Sequence, residues 1–162
     1  MNIVAVAIFS NAAAAAFDGP AQGVGLGIVG GDPNGLTVAW RPDDAMSIQT
    51  AAGWSTTSGM VKVNTDYIVT LRDMTTPTDQ LRITVYAGGG ARLRIAGEAK
   101  VQKHNESGIG ARIPIGLRGV PAGKKLDFFV EVAPSMMLLP DTSAGLDFGL
   151  GARLWTGNRP DS

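Results

Sequence analysis

The chain predicts an all-β fold, an eight-stranded antiparallel up-and-down barrel of the transmembrane kind, with its apolar face outward and a lumen of glycine and charge. Three observations carry this. Eight segments alternate apolar with small or charged residues and are separated by turn chemistry. Their apolar stripes hold no charge, while the opposite stripes collect acids, bases and runs of glycine. Charged residues make up only 17% of the 162, below the roughly 25% of soluble domains, with 22 glycines and a mean hydropathy of +0.11.

The N-terminus, "MNIVAVAIFSNAAAAAF", has an apolar run from Ile3 to Phe9 and then small residues resembling A-x-A cleavage sites. Residues 1–16 are expected to be a secretory signal peptide whose n-region is atypical, since it has no Lys or Arg. Residues 17–156 then form one barrel domain, and 157–162 a polar tail. No later segment approaches the roughly 18 consecutive apolar residues of a membrane helix, so membrane entry would be by strands.

The expected strands are Gly23 to Gly30, Gly35 to Arg41, Met46 to Trp54, Met60 to Thr70, Leu81 to Ala91, Gly108 to Arg118, Leu126 to Ala133 and Ala144 to Trp155. Between them stand "GGDPNG", "RPDDA", "STTSG", "TTPTDQ" and "GVPAGKK", all rich in turn residues. An even number of strands with short connections gives a meander, and eight strands can close without leaving an edge.

Orientation follows from which stripe tolerates which solvent. Val24, Leu26 and Ile28 share one stripe, as do Leu36, Val38 and Trp40, and the even-numbered residues from Leu146 to Leu154. Lys62, Asp66, Arg82, Arg112, Arg118, Asp127, Glu131, Asp147 and Arg153 fall on the other, among Gly25, Gly27, Gly110, Gly116, Gly149 and Gly151. A water-facing stripe would favour Thr, Lys and Glu over glycine, which packs nothing and costs backbone entropy. In a narrow lumen small residues leave room for long charged ones. A charge turned toward the bilayer midplane would cost about 2–4 kcal/mol. Trp40, Trp54, Tyr67 and Trp155 lie near strand ends and are expected to form interfacial girdles.

With "GLGIVGGDPNGL", "GIGAR" and "EVAP" in this order, the chain resembles a group of small bacterial outer-membrane β-barrel-like proteins. The features shared are a G-x-G-x-x-x-G-x-P-x-G-L opening, a central G-I-G-x-R and a late E-x-A-P, over nearly all of Gly23 to Leu154. The resemblance implies a build like that of other eight-stranded outer-membrane proteins, and no activity that carries over. Members tend to end on an aromatic that serves as an assembly signal. Thr156 takes that place here, so either Trp155 substitutes or assembly is less efficient.

Other motifs point to nothing catalytic. "GLGIVG" (Gly25 to Gly30) fits a dinucleotide fingerprint, but a turn follows where the required helix should begin. "GVPAGKK" is one residue short of a P-loop and lacks its Ser/Thr. His104, the sole histidine, with Ser107 is the one hydrolase-like pair, placed in a polar loop. With one His and no Cys, no metal site and no cofactor are expected. Fourteen basic and fourteen acidic residues balance, which removes nucleic acid as a partner.

The inward ions Lys62, Asp66, Arg82, Arg112, Glu131, Asp147 and Arg153 are expected to form a polar network that plugs the lumen, with Asp66, Glu131 and Asp147 as the acceptors. An apolar loop from Met136 to Leu139 could meet the rim, lipid headgroups or a protein partner. The expectation is therefore a non-enzymatic outer-membrane barrel of a Gram-negative bacterium, a structural or interaction component whose partner is membrane lipid. Alternatives are a soluble lipocalin-like carrier of a lipophilic ligand, a lipid-modifying hydrolase using His104 and Ser107, and a narrow ion channel.

Overall fold

The structure is a computed structural model, and it describes residues 22–54, 60–74, 80–96 and 107–157. The strands are β1 (Gly23–Gly31), β2 (Gly35–Arg41), β3 (Met46–Trp54), β4 (Val61–Asp73), β5 (Leu81–Ile95), β6 (Gly108–Arg112), β7 (Ile115–Pro121), β8 (Leu126–Leu139) and β9 (Ser143–Trp155). Every pairing is antiparallel, and β1 pairs with both β2 and β9, from Gly25 opposite Trp155 to Gly31 opposite Gly149. That last pairing closes the sheet on itself.

β6 and β7 both lie between β5 and β8, so they are two halves of one staves' position and the ring counts eight. The break falls at Ile113-Pro114, where proline has no N–H to give to a ladder. Little pairing is lost, because Gly88 N donates to the Pro114 carbonyl at 2.8 Å and Ile113 N to the Pro134 carbonyl at 3.0 Å.

Four strands outrun the segments expected from sequence by three residues or more, among them β7, which ends at Pro121 and not at Arg118. β4 reaches Asp73 through a register shift between Thr70 and Arg72, a bulge that lets the pairing with β5 continue. β5 reaches Ile95 because "RLRI" keeps the period of two beyond Ala91. The expected loop at Met136 to Leu139 is instead the end of β8: Met137 is buried, Met136 and Leu138 are exposed, and Met136 and Met137 pair with Ala144 and Ser143. Apolar residues that alternate in this way belong to a wall, not to a loop.

Of the expected turns, "STTSG" and all of "TTPTDQ" but Gln80 lie outside the described residues. Asp43 Oδ1 accepts from Ala45 N and Met46 N, both at 2.9 Å, between β2 and β3. Gly123 takes φ +71° in the β7–β8 turn, where Lys124 N donates to Pro121 O at 3.2 Å. Of "GVPAGKK", Gly119 to Pro121 end β7 and Ala122 to Lys125 make the hairpin connection, and "GLGIVG" lies within β1.

The two faces point as the alternation requires. Leu26, Leu150 and Leu154 are 54%, 58% and 64% exposed, whereas Asp127 and Arg153 are almost wholly buried. A small apolar cluster of Val29, Ile68, Tyr86 and Phe129 sits inside with the ions. The chain enters at β1 and leaves at β9 from one end of the barrel, here the terminal end, and the β1–β2 and β8–β9 turns lie at the other, distal end.

Candidate functional site: the packed polar interior

Register explains the inward glycines. Trp155 lies opposite Gly25, Arg153 opposite Gly27, Phe129 opposite Gly151, Glu131 opposite both Gly149 and Gly116, Arg112 opposite Gly90 and Arg92 opposite Gly110. Each long side chain thus crosses the lumen over a neighbour that has none. A Cβ on Gly25 would stand 2.8 Å from the Trp155 ring, and one on Gly116 would stand 2.6 Å from the Tyr86 ring. Real carbon contacts are not that short, so the glycines are needed for space.

Glu131 is the hub of the central layer. It accepts from Gln49 Nε2 at 3.1 Å, from Tyr86 OH at 3.0 Å and from Arg112 Nη2. Arg112 also faces Asp66 at 3.2 Å and Asp147 at 3.8 Å. Toward the distal end, Arg92 grips Asp147 with both terminal nitrogens and donates from Nε to Asn64 Oδ1 at 3.1 Å. The paired N–H edges of a guanidinium match the two oxygens of a carboxylate, which gives this contact its fixed geometry.

Asp127 is the hub of the terminal layer. Arg41 Nη2 and Arg153 Nε each donate to it at 3.1 Å, and Arg118 Nε stands 3.7 Å away. Each of these guanidiniums also covers an aromatic ring: Arg41 over Trp155 at 3.9 Å, Arg153 over Phe129 at 4.2 Å and Arg118 over Tyr86 at 5.1 Å. Gln49 joins the two layers, its carbonyl accepting from Arg153 Nη1 at 2.9 Å while its amide reaches Glu131.

All nine inward ions expected from sequence do point inward, but not all in one network. Lys62 pairs with Asp32 at 2.6 Å on the distal rim, and Arg82 pairs with Asp73 at 2.6 Å and Asp44 at 3.3 Å on the terminal rim. Both sit near a barrel mouth, so neither reaches Asp66, Glu131 or Asp147. Arg41, Gln49, Asn64, Tyr86 and Arg92 are buried members that the sequence list omitted. The same alternation marks them, since Arg41 follows outward Trp40 and Arg92 precedes outward Leu93.

Trp155 is a correction. It is 4% exposed and stacks inside against Arg41, because the odd-numbered residues of β9 face inward and Trp155 keeps that phase. Trp40, Trp54 and Tyr67 do face outward, with Tyr67 OH donating to Met46 Sδ at 3.4 Å. His104 lies outside the described residues. Ser107 is exposed and its Oγ accepts from Ala96 N at 3.1 Å.

The void beside Gln49, Asp66, Arg112, Phe129 and Glu131 is about 10 Å³, no more than the least volume one water requires. A hollow of about 270 Å³ opens at the distal mouth between the Asp32-Pro33-Asn34 turn, Trp54 and Lys62. On the outer wall an apolar groove of about 520 Å³ runs between Val85, Ile115, Leu117, Val130, Val132 and Leu146. Among the described residues no group of His, Cys, Asp and Glu is arranged to hold a metal, and no helix is long and apolar enough to cross a membrane.

No protein-family model matches this chain, and no curated protein does. Among solved structures it is similar to the crystal structure of the N-terminal β-barrel domain of Pseudomonas aeruginosa OprF, with a TM-score of 0.51 and 17% identity over 83% of this chain and 98% of that one. At that identity the likeness is one of fold: both are β-barrels, and the barrel of this chain has eight positions, all antiparallel.

Proposed function

We propose that this protein is an integral β-barrel of a Gram-negative outer membrane, non-enzymatic, with a structural or interaction role and a lumen closed by its own ion pairs. The observation that carries the proposal is the inverted distribution of polarity. Leucine, isoleucine, valine and phenylalanine cover the outer wall, while five arginines and four carboxylates are buried inside. In water this arrangement would expose a continuous apolar surface far larger than soluble monomers present. In lipid, both walls have the surroundings they need. The likeness in fold to the N-terminal β-barrel domain of OprF agrees with this reading.

The closed lumen is supported by the small central void and by side chains that meet across the axis, Gln49 to Glu131 and Arg92 to Asp147 among them. The same packing speaks against a lipophilic ligand carried inside and against an open ion path. Among the described residues no geometry supports a hydrolase, and Ser107 accepts a hydrogen bond from the backbone of Ala96.

Folding decides the matter. The chain should acquire strand structure and a heat-modifiable mobility in gels only when micelles or vesicles are supplied, and reconstituted bilayers should stay electrically silent. A stable monomer in detergent-free buffer would refute the membrane assignment, and steady conductance steps would refute the closed lumen.

A further inference from the structure

We propose that the terminal layer of the interior binds one small inorganic anion, held by the N–H edges of Arg118 and Arg153 beside Asp127. Arg41, Arg118 and Arg153 all converge within 3.7 Å of this one carboxylate, and all three are buried. Even with Arg41 set aside, Arg118 and Arg153 bring one positive charge more than Asp127 balances. The next carboxylate inward, Glu131, is taken by Arg112, Tyr86 and Gln49.

The unfilled donors are specific. Among the described residues, Arg118 Nε and Nη2, Arg153 Nη2 and Trp155 Nε1 are buried and have no hydrogen-bond acceptor. The rings of Tyr86 and Phe129 cover the flat faces of Arg118 and Arg153, which neutralises part of the charge but leaves the in-plane N–H groups unsatisfied. A halide or oxyanion supplies both missing quantities, negative charge and acceptor lone pairs. Neutral water supplies only the second. Access is from the terminal end, where Asp127 is the second residue of β8 and exposed Lys124 and Lys125 occupy the adjoining turn and raise the local anion concentration.

The test uses the full chain folded in zwitterionic micelles and follows the thermal loss of its heat-modifiable form in sodium chloride, sodium phosphate and sodium gluconate at matched ionic strength. The midpoint should rise saturably by about 2–4 °C over gluconate in one of the two small anions. Which of the two acts distinguishes a halide from an oxyanion site. Arg118→Gln should abolish the response, and the double variant Lys124→Gln, Lys125→Gln should keep it. Asp127→Asn, which removes the competing charge, should lower the half-saturating concentration about tenfold. Equal midpoints in all three salts would overturn the proposal. So would a full response in Arg118→Gln, its loss in the double lysine variant, or an unchanged half-saturation in Asp127→Asn.

Discussion

In the central and distal layers Arg92 and Arg112 meet three carboxylates, Asp66, Glu131 and Asp147, whereas in the terminal layer Arg41, Arg118 and Arg153 meet Asp127 and three aromatic rings. The first arrangement sets two guanidiniums against three carboxylates, one negative charge in excess, and leaves Asp66 Oδ1 and Arg112 Nε without a hydrogen-bond partner. The second spreads positive charge over π faces and leaves guanidinium edges open. One barrel therefore buries charge in two ways of opposite balance, with carboxylate in excess in one layer and guanidinium in excess in the other. The first joins strands across the lumen by ion pairs, and the second leaves N–H donors of Arg118 and Arg153 unfilled.

The strongest way to break this comparison is at its hub. Glu131→Ala leaves Arg112 and Tyr86 without their acceptor and should cost about 3–5 kcal/mol, read as urea unfolding in micelles. A loss below about 1 kcal/mol would mean that the central layer is no tighter than the terminal one. On the outer wall, Leu150→Arg should cost about 2–4 kcal/mol in lipid vesicles if its strand lies at mid-bilayer, and a neutral result would place hydrocarbon elsewhere.

Smaller effects sharpen the account of the glycines. Gly116→Ala forces a methyl against Tyr86 and the Val130 carbonyl and should cost about 1–3 kcal/mol. Trp155→Leu removes the ring beneath Arg41 and should cost about 1–2 kcal/mol, less than the loss at Glu131. Gly89→Ala, on the outer face with open space around its Cβ, should change stability by no more than about 0.5 kcal/mol. Equal losses at Gly116 and Gly89 would show that glycine acts in these strands through flexibility and not through room.

Much of this was legible in the alternation. The inward direction of Asp66, Arg112, Asp127 and Glu131 follows from period two once one stripe is known to be apolar. So does that of Trp155, whose odd position in β9 outweighs its nearness to a strand end. The apolar stretch at Met136 to Leu139 illustrates the limit. Its pattern is a strand's, although Pro134 before it has no N–H to give to a ladder, and only the interrupted partner strand at Pro114 makes a proline tolerable at that level.

Sequence by itself determined the number of barrel positions, the face each side chain takes and the need for small residues opposite large ones, because these depend on local backbone period and on side-chain size. Tertiary structure decided who pairs with whom. Asp127 collects three arginines from β2, β7 and β9, and Gln49 of β3 joins Glu131 of β8 to Arg153 of β9. Those partners are set by strand stagger around a closed ring, which fixes the height at which each charge meets the axis, and no period along one strand contains that height.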